Sequence, residues 1–292
     1  MDTLPDFFIN TLRQPFGKYQ KIALKIAKTA SEDSVHDLRV LTRRILAVLH
    51  IIEKSAPALR AKKIKKRLKK NLRQLAPLRD LHIQIQLLER LLPDYPEAVL
   101  FLNQYKKKEK KSAKKIKKKF ESVKLRKLRK RLDFVETQIE NLLKEPESAS
   151  RGLSIGLSEV NLAFSKVVDR KNKLNLSDFS TVHQMRMAFK KFRYLLEILR
   201  PVLPEINKKR KKEMKSFQKQ MGEIQDLEVL MENLKSFKPR GAEKALFLKK
   251  MTADLEEKQK LLASKFIPAS EKIYSFWRTG EHDTSEISGE AA

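Results

Sequence analysis

Residues 35–45 read VHDLRVLTRRI, and the same pattern returns 147 residues later as VHQMRMAFKKF at residues 182–192. Further along, the aspartates of LRDL and IQDL, Asp80 and Asp226, also match, with the offset shortened by one residue. Self-similarity at a nearly fixed offset indicates a duplicated structural unit. The sequence therefore predicts two related halves, but duplication by itself does not identify a function.

Apolar residues recur at helical spacing in both copies, at Val35, Leu38, Ile45, Leu49 and Ile52 and at Val182, Met185, Phe192, Leu196 and Leu199. Such a stripe is typical of a helix with one buried face. The 292 residues include only 7 Gly and no Cys, a composition that favours helix and excludes disulfides. We expect an all-α protein of two four-helix bundles, related by a pseudo-two-fold axis that arose from an internal duplication.

The helix boundaries follow from the same periodicity and from proline and glycine positions. The predicted helices span residues 4–30, 35–55, 58–92 and 96–145 in the first half, and 153–171, 182–200, 203–237 and 240–279 in the second. A linker is expected over residues 145–151. The predicted units are a first bundle at 1–150, a second bundle at 151–280 and a disordered acidic tail at 281–292.

Three local features refine these helices. Ser34 with Asp37, and Thr181 with Gln184, have the spacing of a capping box, which predicts that each helix begins immediately before its Val. Pro77 is expected to kink or break the third helix, because proline lacks the N–H that an interior helical position donates.

The charge balance points to the class of partner. There are 65 Lys and Arg against 36 Asp and Glu, which leaves a formal net charge of +29 at pH 7. A field of this size implies an anionic partner. No window approaches the length of about 20 apolar residues that a membrane span needs, and the first residues lack a basic-then-apolar signal segment. We expect a cytoplasmic protein that does not enter a membrane; its oligomeric state does not follow from the sequence.

Two groups of cations recur in both halves. His36, Arg39 and Arg43 share one helical stripe, as do His183, Arg186, Lys190 and Arg193. The third helices carry a second set, in which Lys62, Lys66, Lys69 and Arg73 align with Lys208, Lys212, Lys215 and Lys219. Guanidinium groups near a helix N-terminus suit a phosphate. The structural alternative is that the histidines pack at helix ends while the arginines pair with Asp80 and Asp226, and that the lysines form a solvated face.

The sequence indicates no catalytic set. Asp80 and Asp226 are interpreted as orienting a His or Arg, since a metal needs a denser group of ligands than one His and one Asp in each half. No glycine-rich phosphate loop, nucleophile elbow or His-Glu-x-x-His pattern is present. We therefore expect no metal, no cofactor and no enzymatic activity.

These stretches resemble the CHAD family, the conserved-histidine α-helical domains, as a stand-alone member. The resemblance rests on VHDLRVLTRR at 35–44, VHQMRMAFKK at 182–191 and the two aspartate stretches, and it covers nearly the whole chain. It implies binding of inorganic polyphosphate through basic surfaces, with recruitment to polyphosphate granules. The implied contact residues are His36, Arg39, Arg43, Arg44, His183, Arg186, Lys190 and Lys191; Arg79 and Arg193 complete the predicted set. Gln225 stands where the first half has Arg79, and lysines replace arginines at 190 and 191.

Three functions compete. The leading hypothesis is a polyphosphate-binding module that acts by electrostatics alone. The first alternative is binding of DNA or RNA, which a basic helical chain also suits, although neither stacking aromatics nor a groove-reading helix is evident. The second is a metal-dependent polyphosphate-processing enzyme, which would need carboxylates beside the phosphates. A scaffold for acidic proteins is a further possibility.

Overall fold

Helices form almost all of the described chain in the computed structural model. The structure describes residues 4–55, 61–121, 125–142, 146–203, 206–237 and 241–277. Its α-helices are α1 Leu4–Lys28, α2 Glu32–Ser55, α3 Lys62–Leu91, α4 Val99–Glu121, α5 Leu125–Leu142, α6 Pro146–Asn172, α7 Ser180–Leu199, α8 Lys208–Lys235 and α9 Ala242–Ala269. Within these ranges no β-strand is present, so the all-α prediction is confirmed.

The two amphipathic helices bury the predicted face. All ten apolar positions of the repeated stripes on α2 and α7 are at most 5% exposed, as the 3.6-residue period requires of a core-facing stripe. Consecutive helices pack as pairs, α1 with α2, α3 with α4, α6 with α7 and α8 with α9. The two predicted halves meet where α2 packs on α7 and α6, and where α3 packs on α8.

The apolar core crosses the boundary between the predicted halves. Its main cluster includes Leu38 and Leu49 of α2 together with Phe189 and Leu196 of α7. A second cluster, around Leu88, joins the C-terminal part of α3 and the N-terminal part of α4 to the corresponding parts of α8 and α9. Both halves therefore share their buried surface. The pseudo-two-fold relation and the boundary at residue 150 stay predictions.

Aromatic packing ties the last described residues to α7. Phe189 lies 4.9 Å from Phe217 of α8 and 5.8 Å from Phe276, measured between ring centroids. Trp277 donates through its indole N–H to Oδ1 of Asn161 on α6, at 2.7 Å. These contacts fix the rotation of α7 about its axis, so the polar stripe beside its apolar stripe is held in a defined direction.

The predicted capping boxes are wrong. α2 begins at Glu32, and the cap is Ser31, whose Oγ accepts from the Ser34 N–H at 3.4 Å. A serine three residues earlier offers the acceptor, and two acidic residues then occupy the first turn, where the helix dipole favours them. At α7, Oδ1 of Asp178 accepts from the Ser180 N–H at 2.9 Å, and Gln184 instead accepts from Arg170.

Other predicted boundaries also change. The expected linker at 145–151 is helical from Pro146, the first residue of α6, because proline suits a first helical position, where no N–H is needed. Pro77 does not end α3, which continues to Leu91. The single helix expected over 96–145 is described as a short 3-10 segment followed by α4 and α5. Glu145 and the acidic tail lie outside the described residues.

Candidate functional site

A cavity of about 830 Å³ lies between α2, α3, α7 and α8, with one edge on α1. We call it the central cavity. Because α2 and α7 pack on each other through their apolar stripes, the adjacent polar stripe of each helix faces this space. Twelve of the predicted site residues line it: His36, Arg39, Arg43, Arg44, Arg79, Asp80, His183, Arg186, Lys190, Arg193, Lys215 and Asp226.

The α2 wall of the cavity is built around Arg39. Its Nη1 donates to the backbone carbonyl oxygen of Leu72 on α3 at 3.1 Å, which fixes the guanidinium against that helix. Burial lowers the pKa of Arg39 to about 10, and the neighbouring Arg43, one turn further on, adds to the effect. A guanidinium with a lowered pKa is short of counter-charge, which an anion in the cavity would supply.

The α7 wall is built around Arg186. Its guanidinium lies against Gly222 of α8, where a Cβ would come within 3.4 Å of Nη2. Nε of Arg186 is buried without a hydrogen-bond partner, and burial lowers the pKa of the group. A buried guanidinium N–H that lacks a partner is costly, so this donor is free for a ligand oxygen.

Among the cavity residues, Lys190 has the largest shift in pKa. Burial, followed by repulsion from Arg43, Arg186, Arg39 and Arg193, lowers its pKa to about 7. Among the described residues it forms no ion pair with a carboxylate. An ammonium in this position becomes favourable when an anion enters the cavity.

The two aspartates lie on the opposite walls, Asp80 on α3 and Asp226 on α8. Burial raises the pKa of both carboxyl groups, against the pull of Arg39 on Asp80 and of Arg186 on Asp226. Neither carboxylate forms an ion pair with any residue that the structure describes; the backbone carbonyl of Asp226 accepts from Gln84 at 3.4 Å. Their orienting role stays a prediction.

Three of the cavity cations do have carboxylate partners. Arg79 donates to Glu32 at 2.7 Å, and Arg44 pairs with Glu197 at 3.4 Å. Arg193 pairs with the same Glu197 and donates to Gln218 at 3.0 Å. These three are held in place by protein contacts. Among the described residues, Arg39 and Arg43 of α2 and Arg186 and Lys190 of α7 form no ion pair with a carboxylate.

The two predicted histidines, His36 and His183, line the cavity. His36 and His183 are exposed at its wall. His36 is the fifth residue of α2 and His183 the fourth residue of α7, and the His183 N–H donates to the carbonyl oxygen of Phe179. Partial burial and Arg79 lower the pKa of His36. The His183 N–H is therefore used within its helix, and a ligand contact of the two histidines stays a prediction.

Most of the predicted lysine face lies elsewhere. We define the outer cations as the exposed residues of the predicted set on α3 and α8 that do not line the cavity: Lys62, Lys66, Lys69, Arg73, Lys208, Lys212 and Lys219. Lys219 pairs with Glu223 at 3.5 Å. Lys191 is also outside the cavity and lies 4.0 Å from Glu159. The site predicted from sequence therefore separates into a cavity group and an outer group.

The polar cavity residues that the predicted site did not include are Lys18 on α1, Asp37 on α2, Gln84 on α3, Tyr194 on α7, and Gln218 and Gln225 on α8. Tyr194 is buried, with the Arg193 guanidinium 4.8 Å from its ring centroid. Lys18 lies outside both copies of the repeated motif, so no spacing argument reaches it. Glutamines carry no charge signal.

Two further properties of the described residues concern metal ions and membranes. They contain no group of three or more His, Cys, Asp or Glu side chains placed to hold a metal ion. None of their helices is both long enough and apolar enough to cross a membrane.

These features define a class: an all-helical protein with a cationic cavity between two packed helix pairs. The sequence model of the CHAD domain family matches residues 12–235, and the chain belongs to that family. The crystal structure of the CHAD domain from the plant Ricinus communis is similar, with a TM-score of 0.71 at 19% identity over 94% of this chain and 93% of that one.

PptA from Streptomyces chartreusis has the same fold, with a TM-score of 0.60 at 17% identity over 92% of this chain and 99% of that one. No curated protein sequence matches the chain. At these identities the two structures show the fold alone.

Proposed function

We propose that this protein binds inorganic polyphosphate in the central cavity without altering it chemically. The observation that carries the proposal is the cluster of Arg39, Arg43, Arg186 and Lys190, which face one cavity from two helices and have no carboxylate ion pair among the described residues. Some members of the CHAD family bind polyphosphate. The resemblance and the geometry support the same ligand.

The electrostatics explain why a ligand would be bound tightly. Burial keeps these cations partly away from water, and this lowers the pKa of Arg39 and of Lys190. An incoming phosphate chain then meets donors that need little further desolvation, and charge-assisted hydrogen bonds in such a setting are stronger than in water. The unpaired Nε of Arg186 adds one such donor.

The shape of the cavity favours a thin polyanion over a duplex. Its volume of about 830 Å³ is that of a small-ligand site. A single phosphate chain fits such a space, whereas duplex DNA would have to bind the outer cations. Single-stranded nucleic acid binding relies on stacked bases, and the aromatic ring at the described cavity wall, Tyr194, is already covered by Arg193.

The test compares two matched sets of variants. One removes cavity cations by Arg43→Ala and Lys190→Ala; the other removes two outer cations by Lys66→Ala and Lys212→Ala. Both lose the same formal charge. We expect the cavity pair to weaken binding of long-chain polyphosphate at least about tenfold more than the outer pair, because each desolvated charged contact contributes about 1.5–3 kcal/mol. Equal losses would contradict a cavity site.

Competition and salt complete the test. Duplex DNA, RNA and short phosphates are titrated against labelled polyphosphate at fixed physiological salt. At equal concentrations of negative charge, we expect polyphosphate to bind more tightly than DNA, RNA or short phosphates. By analogy with DNA, its affinity should fall by roughly 10³ to 10⁵ between 50 and 200 mM salt if six to ten phosphates are neutralised. Equal competition by nucleic acid would favour the alternative partner. Phosphate release that depends on a divalent metal would favour the enzyme.

Recruitment to polyphosphate granules in the cytoplasm follows as an extension of this proposal. A tagged chain should co-localise with granules in cells that make them, and the Arg43→Ala/Lys190→Ala variant should not. Retention of the variant at granules would place the granule contact outside the cavity.

A further inference from the structure

Lys190 occupies an unusual position for a lysine. Arg186 and Arg193 flank it by one turn on its own helix, and Arg39 and Arg43 face it from α2. Its side chain lines an open cavity of about 830 Å³, so small solutes have access to it. Its neighbour Lys191 points away from the cavity and is paired with Glu159 at 4.0 Å.

The acidic groups around Lys190 are too few to hold it as an ammonium ion. Asp80 faces it from α3, but the two form no ion pair, and burial raises the pKa of the Asp80 carboxyl. No facing carboxylate from α8 forms an ion pair with it either; Asp226 interacts chiefly with Arg186. Two arginines on each of α2 and α7 therefore dominate the field at this amine.

The amine is consequently available as a nucleophile. With a pKa of about 7, Lys190 is half in the free-amine form at neutral pH. A lysine with the pKa of a free side chain, about 10.4, has only about 0.04% of the free amine at that pH. Desolvation beside other cations is a recognised way to activate a lysine.

We propose that Lys190 is an acylation site whose substrates are small acyl phosphates. The phosphate end of such a molecule suits the guanidinium groups of Arg43 and Arg186, one of which has an unpaired buried N–H. Because Lys190 lines the same cavity as these two arginines, the proposal places the acyl carbon against its Nζ. This inference rests on the anion-binding cavity of the proposed function, but it concerns a covalent reaction with a different substrate.

The reaction balances without any further reagent. The lone pair on Nζ attacks the acyl carbon, a new C–N bond forms, and the C–O bond to the phosphate breaks. Inorganic phosphate leaves with the bonding electron pair, and the nitrogen loses one proton to water. The product is a neutral amide, so acylation removes one cation from the centre of the cavity and fills part of its space. Polyphosphate binding would be weakened as a result.

The experiment treats the full chain with acetyl phosphate at pH 7.5, without polyphosphate, and follows acetylation of each lysine by peptide mass spectrometry. We expect Lys190 to react at least about tenfold faster than Lys191 and the exposed Lys110 of α4, since its large excess of free amine outweighs the lower nucleophilicity of a weaker base. Added inorganic triphosphate should protect Lys190 selectively. A rate at Lys190 no higher than at Lys191 would overturn the proposal.

Two controls distinguish acylation of Lys190 from polyphosphate binding in the cavity. Lys190→Arg keeps the positive charge and should abolish the fast phase of total acetylation. Acetic anhydride, which has no phosphate, should show a smaller preference for Lys190 than acetyl phosphate does. Selective acetylation with unchanged polyphosphate affinity would support the acylation site while contradicting the cavity as the polyphosphate site. Intact polyphosphate binding without selective acetylation would overturn the acylation site alone.

Discussion

The guanidinium of Arg186 rests directly on the backbone of Gly222, and a Cβ added there would lie 3.4 Å from Nη2 and 3.5 Å from Nε. The glycine is in the middle of α8, where it costs helix stability relative to alanine, by about 1 kcal/mol. A Cβ there would make ordinary van der Waals contact with the guanidinium, so a side chain larger than alanine would compete with Arg186 for the cavity wall. The contact links the helix that carries the second motif to the helix that carries Asp226.

Gly222→Leu should therefore displace Arg186 without changing the charge of the protein. We expect polyphosphate affinity to fall by about tenfold, the equivalent of one charge-assisted contact of about 1.4 kcal/mol. Binding is measured by titration with a labelled chain. The control is Gly17→Leu in α1, since a Cβ there meets nothing within 4 Å. If both variants bind alike, the Arg186 position does not matter for binding.

Polyphosphate binding should take up protons above neutral pH. In the free protein burial and neighbouring arginines hold the pKa of Lys190 at about 7, whereas a bound anion raises it. The Lys190 ammonium therefore makes its complete contribution to polyphosphate affinity below pH 7, and this contribution is lost as the pH rises through the pKa that Lys190 has in the complex. Calorimetry at pH 8 in buffers of different ionisation enthalpy should show uptake of up to about one proton per protein.

Lys190→Arg is the control for proton uptake, because arginine stays charged at pH 8. The variant should bind polyphosphate with little or no uptake at this pH. Uptake equal to that of the unmodified chain would assign the proton to another group, such as His36, whose pKa is also lowered by burial.

Lys190→Met should stabilise the ligand-free protein while weakening its binding. The pKa of Lys190 is lower in the folded than in the unfolded protein, so its charge lowers the free energy of unfolding. This cost is complete when the pH is below the folded pKa and disappears as the pH rises toward the unfolded pKa. We expect a gain on the order of a few kcal/mol at pH 6 and a much smaller gain at pH 10, since one pKa unit corresponds to about 1.4 kcal/mol. Urea unfolding at the two pH values measures it.

Lys110→Met serves as its control, because Lys110 is exposed on α4 and outside the cavity. It should change the free energy of unfolding by less than about 0.5 kcal/mol at either pH. A destabilising effect of Lys190→Met at pH 6 would show that the ammonium has a partner in the folded state.

Glu159→Gln should loosen the contact between α6 and α2. Glu159 is a nearly buried carboxylate, 2.7 Å from Nε2 of His50 and 4.0 Å from Nζ of Lys54. Burial alone would raise its pKa, but the hydrogen bond from His50 and the nearby lysines outweigh burial and hold the pKa below its usual value. We expect a loss of about 1.5–3 kcal/mol in the free energy of unfolding at pH 7.

The lowered pKa of Glu159 also predicts how the effect of Glu159→Gln on stability depends on pH. A carboxyl with a lowered folded pKa stabilises the protein above its unfolded pKa, near 4.5, and this contribution is lost as the pH falls through the folded value. The difference between the two proteins should therefore shrink on acidification below pH 4.5. Glu140→Gln, at a solvent-exposed pair with Arg13, is the control and should cost under about 1 kcal/mol at every pH.

The sequence by itself determined the helices and which side of each is buried. The stripes of α2 and α7 were predicted residue by residue, because burial of a helix face is encoded in a local period of 3.6 residues and in side-chain hydrophobicity. Helix ends were predicted less well. Several Ser, Thr, Asp and Asn residues compete as caps within a few positions, and the choice of Ser31 over Ser34 depends on how the preceding chain approaches α2.

Only the tertiary structure decided which of the predicted cations line the cavity. Arg43 and Lys190 are far apart in the sequence, yet they face each other because α2 packs on α7. The outer cations share the same sequence signal, basic residues at helical spacing in both halves, but they lie on the solvent side of α3 and α8. Electrostatic energy depends on distance and burial, and neither is a property of local sequence. A lysine with a pKa near 7 therefore appears only when the helices have packed.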